Sequence, residues 1–108
     1  MNQNEIATEI VNFKTINGIY DNELIKIINN LDTNFLSKTK AYIDTELIKG
    51  KEDQTWIIII HWRTMTEATE AIKEFATSPL TEEYRNILDP KSVSFHFTEQ
   101  IGAWKAVQ

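Results

Sequence analysis

At 108 residues, 42% of them hydrophobic and 10% aromatic, the chain has the composition of an ordinary globular protein and the length of a single domain, 1–108. It contains no cysteine, which excludes disulfides, thiol catalysis and thiolate metal sites. A net charge of −5, with the few Lys and Arg scattered along the chain, argues against a nucleic-acid partner. No apolar stretch reaches bilayer-spanning length, and the opening MNQNEIATEI lacks the basic start and apolar run of a secretory signal. No membrane association and a cytoplasmic location are therefore expected.

The first predicted strand runs from Glu5 to Thr15, with Ile6, Ile10, Val11 and Phe13 in β-branched company and a turn signal at Asn17-Gly18. From Asp21, the expected cap, Leu24, Ile27, Ile28, Leu31 and Phe35 fall at the spacing of one helical face. Lys40 to Lys49 alternates Ala41, Ile43, Thr45 and Leu47 against Tyr42, Asp44, Glu46 and Ile48, and a polar loop, Gly50 to Asp53, joins it to the third strand. That strand, Trp56 to Trp62, puts Trp56, Ile58, Ile60 and Trp62 on one face and Ile57, Ile59 and His61 on the other. Both sides are apolar, and a single layer of helices hides only one. A second copy of the chain is the expected cover for the other.

Thr64 and Glu67 stand at capping-box spacing before the stripe Ala68, Ala71, Ile72 and Phe75. Ser78-Pro79 breaks this second helix, and Leu80, Tyr84, Ile87 and Leu88 read as a further short one that Asp89-Pro90 ends. The fourth strand, Ser92 to Glu99, sets Val93, Phe95 and Phe97 against Ser94, His96 and Thr98. The core spans about residues 5–100. The tail 101–108 keeps Trp104 and Val107 and is expected to dock, with the partner subunit as the candidate surface.

The order βαββαβ is the ferredoxin-like arrangement, α+β in class, with a four-stranded antiparallel sheet carrying its helices on one face. That topology hosts many functions, so local features decide. Three of them are a third strand closing on Trp62 and followed by the helix Thr66 to Ala76, the Phe75-Ala76-Thr77-Ser78-Pro79 helix end, and the run Leu88-Asp89-Pro90-Lys91-Ser92-Val93 leading into a last strand closed by Glu99. In these the chain resembles the dimeric α+β barrel superfamily, and within it the antibiotic-biosynthesis-monooxygenase-like domains. The resemblance implies a homodimer whose two sheets pair face to face, with a pocket in each subunit between sheet and helices. Such families include cofactor-independent oxygenases of polycyclic phenolic compounds, haem-degrading enzymes, lactone isomerases and proteins of unknown role.

In the oxygenases a Trp near the end of the third strand lines the pocket with Asn, Tyr and Arg partners. Trp62 looks like its counterpart, Ile58 stands where the Asn is expected, and Asn12, Tyr84 and Arg85 complete the candidate lining. The haem-degrading members use an Asn on the first strand with a Trp and a His on the second helix. Here Asn12 is on the first strand, but Thr66 to Leu88 holds neither Trp nor His, which argues against haem degradation.

Each candidate has a plainer reading. A Trp at a strand end commonly fills core. His61 and His96 are the candidates for a catalytic base. Strand parity sends His61 to the face opposite Trp62, where a hydrogen-bonded structural His is the commoner occurrence. Asp44 with His61 and His96 has the ligand chemistry of a metal site but no identifying spacing, so neither a metal nor a cofactor is expected. Arg85 next to Tyr84 suits an anionic substrate, or an ion pair with Glu82 or Glu83. Phosphate-loop, nucleophile-elbow and zincin motifs are missing. An RNA-recognition module, which shares the βαββαβ order, fits neither the charge nor the apolar third strand. The sequence thus supports a monooxygenase-like enzyme acting on an activated phenolic or polycyclic compound, against the alternative of a non-catalytic ligand-binding or structural homodimer.

Overall fold

A computed structural model describes residues 6–51 and 54–107. Glu5 at the start of the first predicted strand, Glu52 and Asp53 of the predicted hairpin loop, and the terminal Gln108 lie outside the described residues. The elements follow in the order β1 (Ala7–Phe13), α1 (Asp21–Asn34), β2 (Tyr42–Lys49), β3 (Trp56–Trp62), α2 (Met65–Phe75), α3 (Glu82–Asn86) and β4 (Ser94–Glu99). The sheet is antiparallel throughout, in the order β2-β3-β1-β4. This is the ferredoxin-like arrangement, and β1 and β3 occupy its middle.

Strand parity places the core. On β3, Trp56, Ile58, Ile60 and Trp62 are buried while Ile57, Ile59 and His61 are only half-buried. The register sets Ala7 opposite Trp62, Glu9 opposite Ile60, Val11 opposite Ile58 and Phe13 opposite Trp56. These eight residues therefore share the face on which α1 and α2 lie. Leu24, Ile27, Ile28 and Leu31 of α1 and Ala68 and Ala71 of α2 are buried against it. Fully burying a side chain such as Phe13 or Leu24 contributes about 1.5–3 kcal/mol. Among the described residues, the opposite face carries no helix.

Three local expectations change. Asp21 is the first residue of α1 and not its cap: Tyr20 holds the cap position with no side-chain bond to the helix. The Asp21 carboxylate instead accepts from Lys49 Nζ at 3.1 Å across to β2. Strand two begins at Tyr42, because Ala41 takes the left-handed φ of 71° and a bulge interrupts the register between Tyr42 and Asp44. That bulge reverses the expected parity of Tyr42 and turns it toward the helices. Finally, residues 90–92 form a 3₁₀ turn, delaying β4 to Ser94. Its Pro90 has no N–H to give a strand ladder.

The helix α2 starts as its capping-box spacing predicts. Thr64 Oγ1 accepts from the Glu67 backbone N–H at 3.1 Å and donates to the Glu67 carboxylate at 3.2 Å. Among the described residues, no helix is long and apolar enough to cross a membrane.

Candidate functional site

A cavity of about 330 Å³ lies between the sheet and the helices. Its walls come from β1, β3, β4, the C-terminal half of α1, and α2 and α3. Nearly all lining side chains are apolar, and the polar ones are Glu9, Tyr84, Arg85 and the indole N–H of Trp62. An apolar cavity of about 150 Å³ accepts a benzene ring, so the space here suits roughly two or three fused rings. Phe95 lines it yet is 51% exposed, which puts the mouth toward the β4 edge of the sheet.

Trp62, 1% exposed, is held on two sides. Tyr42, brought over by the bulge, meets it edge-to-face with ring centroids 5.7 Å apart. Its Nε1 donates to Glu9 Oε1 at 3.1 Å. Tyr42 is itself anchored by donating to Asp32 at 2.8 Å. Burial, with the nearby Asp32 and Asp44 charges adding to it, pushes the Tyr42 hydroxyl up to about 12.

Glu9 is the least expected member. Its side chain is 3% exposed, and the Trp62 indole is its hydrogen-bond partner among the described residues. Loss of water raises its carboxyl above the ordinary carboxylate range, while the indole donation pulls it partly back. The sequence held a usable signal for this residue. Phe13 must point inward, and counting back in twos through Val11 reaches Glu9.

Tyr84 is 4% exposed and packs edge-to-face on Phe13 at 5.7 Å and Phe75 at 5.9 Å. Its hydroxyl is buried without a hydrogen-bond partner among the described residues. Burial, followed by the charge of Glu9, raises its pKa. Arg85 reaches the cavity wall, but its Nε donates to Thr81 Oγ1 and its Nη2 to the Ser78 carbonyl, both at 2.9 Å. Those bonds replace the expected ion pair with Glu82 or Glu83; Glu83 accepts instead from Asn30.

Trp62, Tyr84 and Arg85 thus meet at one cavity, and Ile58 lines it too. Asn12 does not join them. It lies opposite Ile57 and Ser94, on the helix-free side of the sheet, because it is odd in step from Glu9 and Val11. His61 and His96 lie on that same helix-free side, opposite Thr8 and Ile10. His61 Nδ1 is 2.7 Å from Asp44 Oδ1, a hydrogen-bonded arrangement whose partner the sequence did not single out. His96 is separated from that pair by β1, and no cluster of three metal-ligating side chains occurs among the described residues. A more open groove of about 770 Å³ runs between α1 and β2. Its charged groups are already engaged, Asp21 with Lys49, Asp32 with Tyr42 and Asp44 with His61.

The ferredoxin-like fold is one that the chain has in common with solved structures whose descriptions include a cofactor-independent oxygenase and putative antibiotic biosynthesis monooxygenases. No protein-family model matches the chain, and no curated protein does. Among solved structures it is similar to a variant of SnoaB, a cofactor-independent oxygenase from Streptomyces nogalater, at 11% identity and a TM-score of 0.71, covering 91% of this chain and 95% of that one. A putative antibiotic biosynthesis monooxygenase from Bordetella bronchiseptica gives 13% identity, a TM-score of 0.69 and coverage of 90% and 98%. NE2512 from Nitrosomonas europaea, a protein of unknown function, gives 8% identity, 0.69, and coverage of 99% and 100%. What these proteins share with the chain is the fold.

Proposed function

We propose that this protein is a homodimeric small-molecule enzyme of the monooxygenase-like kind, which takes an activated phenolic or polycyclic compound into the cavity beside Trp62 and oxygenates it with dioxygen alone. The observation that carries the reading is the cavity itself: apolar, open at a mouth beside Phe95, of ring-compound size, and furnished with a few polar groups. The shared fold with a cofactor-independent oxygenase supports it. In such a reaction a ring C–H loses its proton and the resulting carbanion passes one electron to dioxygen. Recombination forms a carbon–oxygen bond, and the peroxide takes up a proton and loses water to leave a carbonyl. The protein's share is to remove the proton, stabilise the enolate and keep water away.

Anthrone is a suitable probe, since its activated methylene is oxidised to a coloured quinone. Oxygen-electrode traces are expected to show protein-dependent uptake matching quinone formation one for one. Uptake equal to buffer alone, at protein concentrations that bind the probe, overturns the enzymatic reading.

A second reading, a non-catalytic ligand-binding dimer, draws on the same wall. Asn12 lies on the other side of the sheet and Arg85 gives its Nε and one Nη2 donor to Thr81 and Ser78, which leaves a sparse polar set. Quenching of tryptophan fluorescence by a bound ring without oxygen uptake would favour it.

A further inference from the structure

We infer that Glu9 is the proton-accepting group of this cavity and that Trp62, through its indole N–H, is the residue that positions it. The inference deepens the enzymatic reading above and rests on it for the identity of the cavity as a substrate site.

The geometry is specific. Glu9 sits on a central strand, 3% exposed, among the mostly apolar side chains that line the cavity. One carboxylate oxygen is fixed at 3.1 Å from Trp62 Nε1, and the other has no partner among the described residues and is left for whatever occupies the cavity. Neither Lys nor Arg pairs with it among the described residues. A structural carboxylate buried at this depth is normally neutralised by a cation or several donors. This one is supported by one neutral donor, which leaves it basic. The groups facing it are Tyr84 from α3, whose unpartnered hydroxyl is buried in the same cavity, and Arg85 at the wall, already bound to Thr81 and Ser78. The other elements bring apolar side chains to the same cavity, Leu31 of α1 and Ala71, Ile72 and Phe75 of α2, and Phe97 is opposite Glu9 on β4. Its raised basicity accords with that surrounding.

The step assigned to Glu9 is a simple proton transfer. The substrate's acidic C–H bond breaks, its electron pair stays in the ring system as an enolate, and the proton goes to the carboxylate oxygen that Trp62 does not hold. No oxidant enters this step. The enolate oxygen is matched by the Tyr84 hydroxyl, the donor in the cavity with nothing else to bond. The substrate class that fits is a neutral fused-ring compound with one carbonyl or phenol oxygen and an acidic C–H within the same face.

Proton transfer is separable from oxygenation by working under argon. Anthrone in deuterated buffer is followed by proton NMR as its methylene signal is lost to exchange. The wild-type protein is expected to accelerate exchange over buffer, and Glu9→Gln, which keeps the shape and an acceptor for Trp62, to slow it by about 100-fold or more with anthrone binding changed only severalfold. Trp62→Phe removes the donor that lowers the carboxyl's pKa, so its exchange persists while the acid limb of the pH–rate profile moves to higher pH. Exchange by Glu9→Gln near the wild-type rate, no exchange by the wild type, or an unmoved limb in Trp62→Phe each overturns the assignment. Should Glu9→Gln fail to fold, the Trp62→Phe limb decides. A wild type that exchanges under argon but takes up no oxygen in air keeps the base and sinks the oxygenase. Oxygen uptake that survives Glu9→Gln does the reverse.

Discussion

Glu9 sits where an aliphatic side chain would be more stable. Burying a carboxylate costs several kcal/mol unless it is paired, and one indole N–H offsets only part of that. Stability given up at a site that serves function is a common pattern. Glu9→Gln is therefore expected to stabilise the fold at neutral pH by about 1–3 kcal/mol, measured by urea denaturation. The pH dependence has a definite sign. The folded carboxyl binds its proton more tightly than the ordinary value of 4.5, so the neutral form's contribution is complete below that value and is lost as pH rises through the raised one. The advantage of Gln should grow over that interval and shrink in acid. An advantage that stays flat from acid to neutral pH would contradict a carboxyl with raised pKa. This residue was legible in principle, since the inward parity of Phe13 and Val11 reaches it. Ile6, Ile10 and Val11, though, give the strand apolar residues of both parities, which hid a lone inward acid among them.

The elements that position the cavity differ in how openly the sequence declares them. β3 is explicit as a strand with two apolar faces, Trp56, Ile58, Ile60 and Trp62 against Ile57 and Ile59, but which face meets the helices, and the pairing of His61 with Asp44, come from the sheet register. Tyr42 was not legible: the bulge that swings it onto Trp62 depends on the positive φ of Ala41, and Ala is not a residue that advertises the left-handed region. Asn12 failed as a pocket residue for the converse reason, a register that was open in the sequence and closed by pairing with β3 and β4. The junction of α2 and α3 is held by polar bonds that no periodicity reveals. Thr81, fully buried, donates to the Phe75 carbonyl at 2.6 Å and accepts from Arg85. With Arg85 also capping the Ser78 carbonyl, the guanidinium fixes the turn that aims Tyr84 inward. Arg85→Ala removes both bonds and is expected to cost about 1–3 kcal/mol in a chemical denaturation series. It should also weaken anthrone binding, because Tyr84 loses its frame. An unchanged midpoint would reduce Arg85 to a surface residue.

At the scale of the whole molecule, the helices cover one side of the sheet and the other stays bare among the described residues. That bare side presents Ile10, Ile57 and Ile59, half-buried between strands, and Ile48, 39% exposed. Hydrocarbon on the two central strands is poorly suited to water, and an antiparallel sheet whose second face is solvated normally alternates to polar residues there. The polar groups of that side, Thr8, Asn12, Asp44, Glu46, His61, Ser94, His96 and Thr98, lie around the isoleucines in the pairing grid, an apolar centre with a polar margin of the kind that protein interfaces show. A second copy of the same chain would meet this surface through a twofold axis without any new complementarity, since each patch answers its own image, and the proposed homodimer rests on that match. Ile59, opposite Ile10 and Glu46, is near the middle, so Ile59→Lys puts like charges face to face across the axis while the half-exposed site keeps the monomer foldable. Sedimentation equilibrium is expected to give a dimer for the wild type and a folded monomer for this variant. The cavity lies on the other side of the sheet, walled by residues of one chain, so anthrone binding should survive the change. A wild type that sediments as a monomer at tens of micromolar would mean that the bare face tolerates water, and the homodimer would have to be abandoned while the cavity, Glu9 and Trp62 kept their geometry.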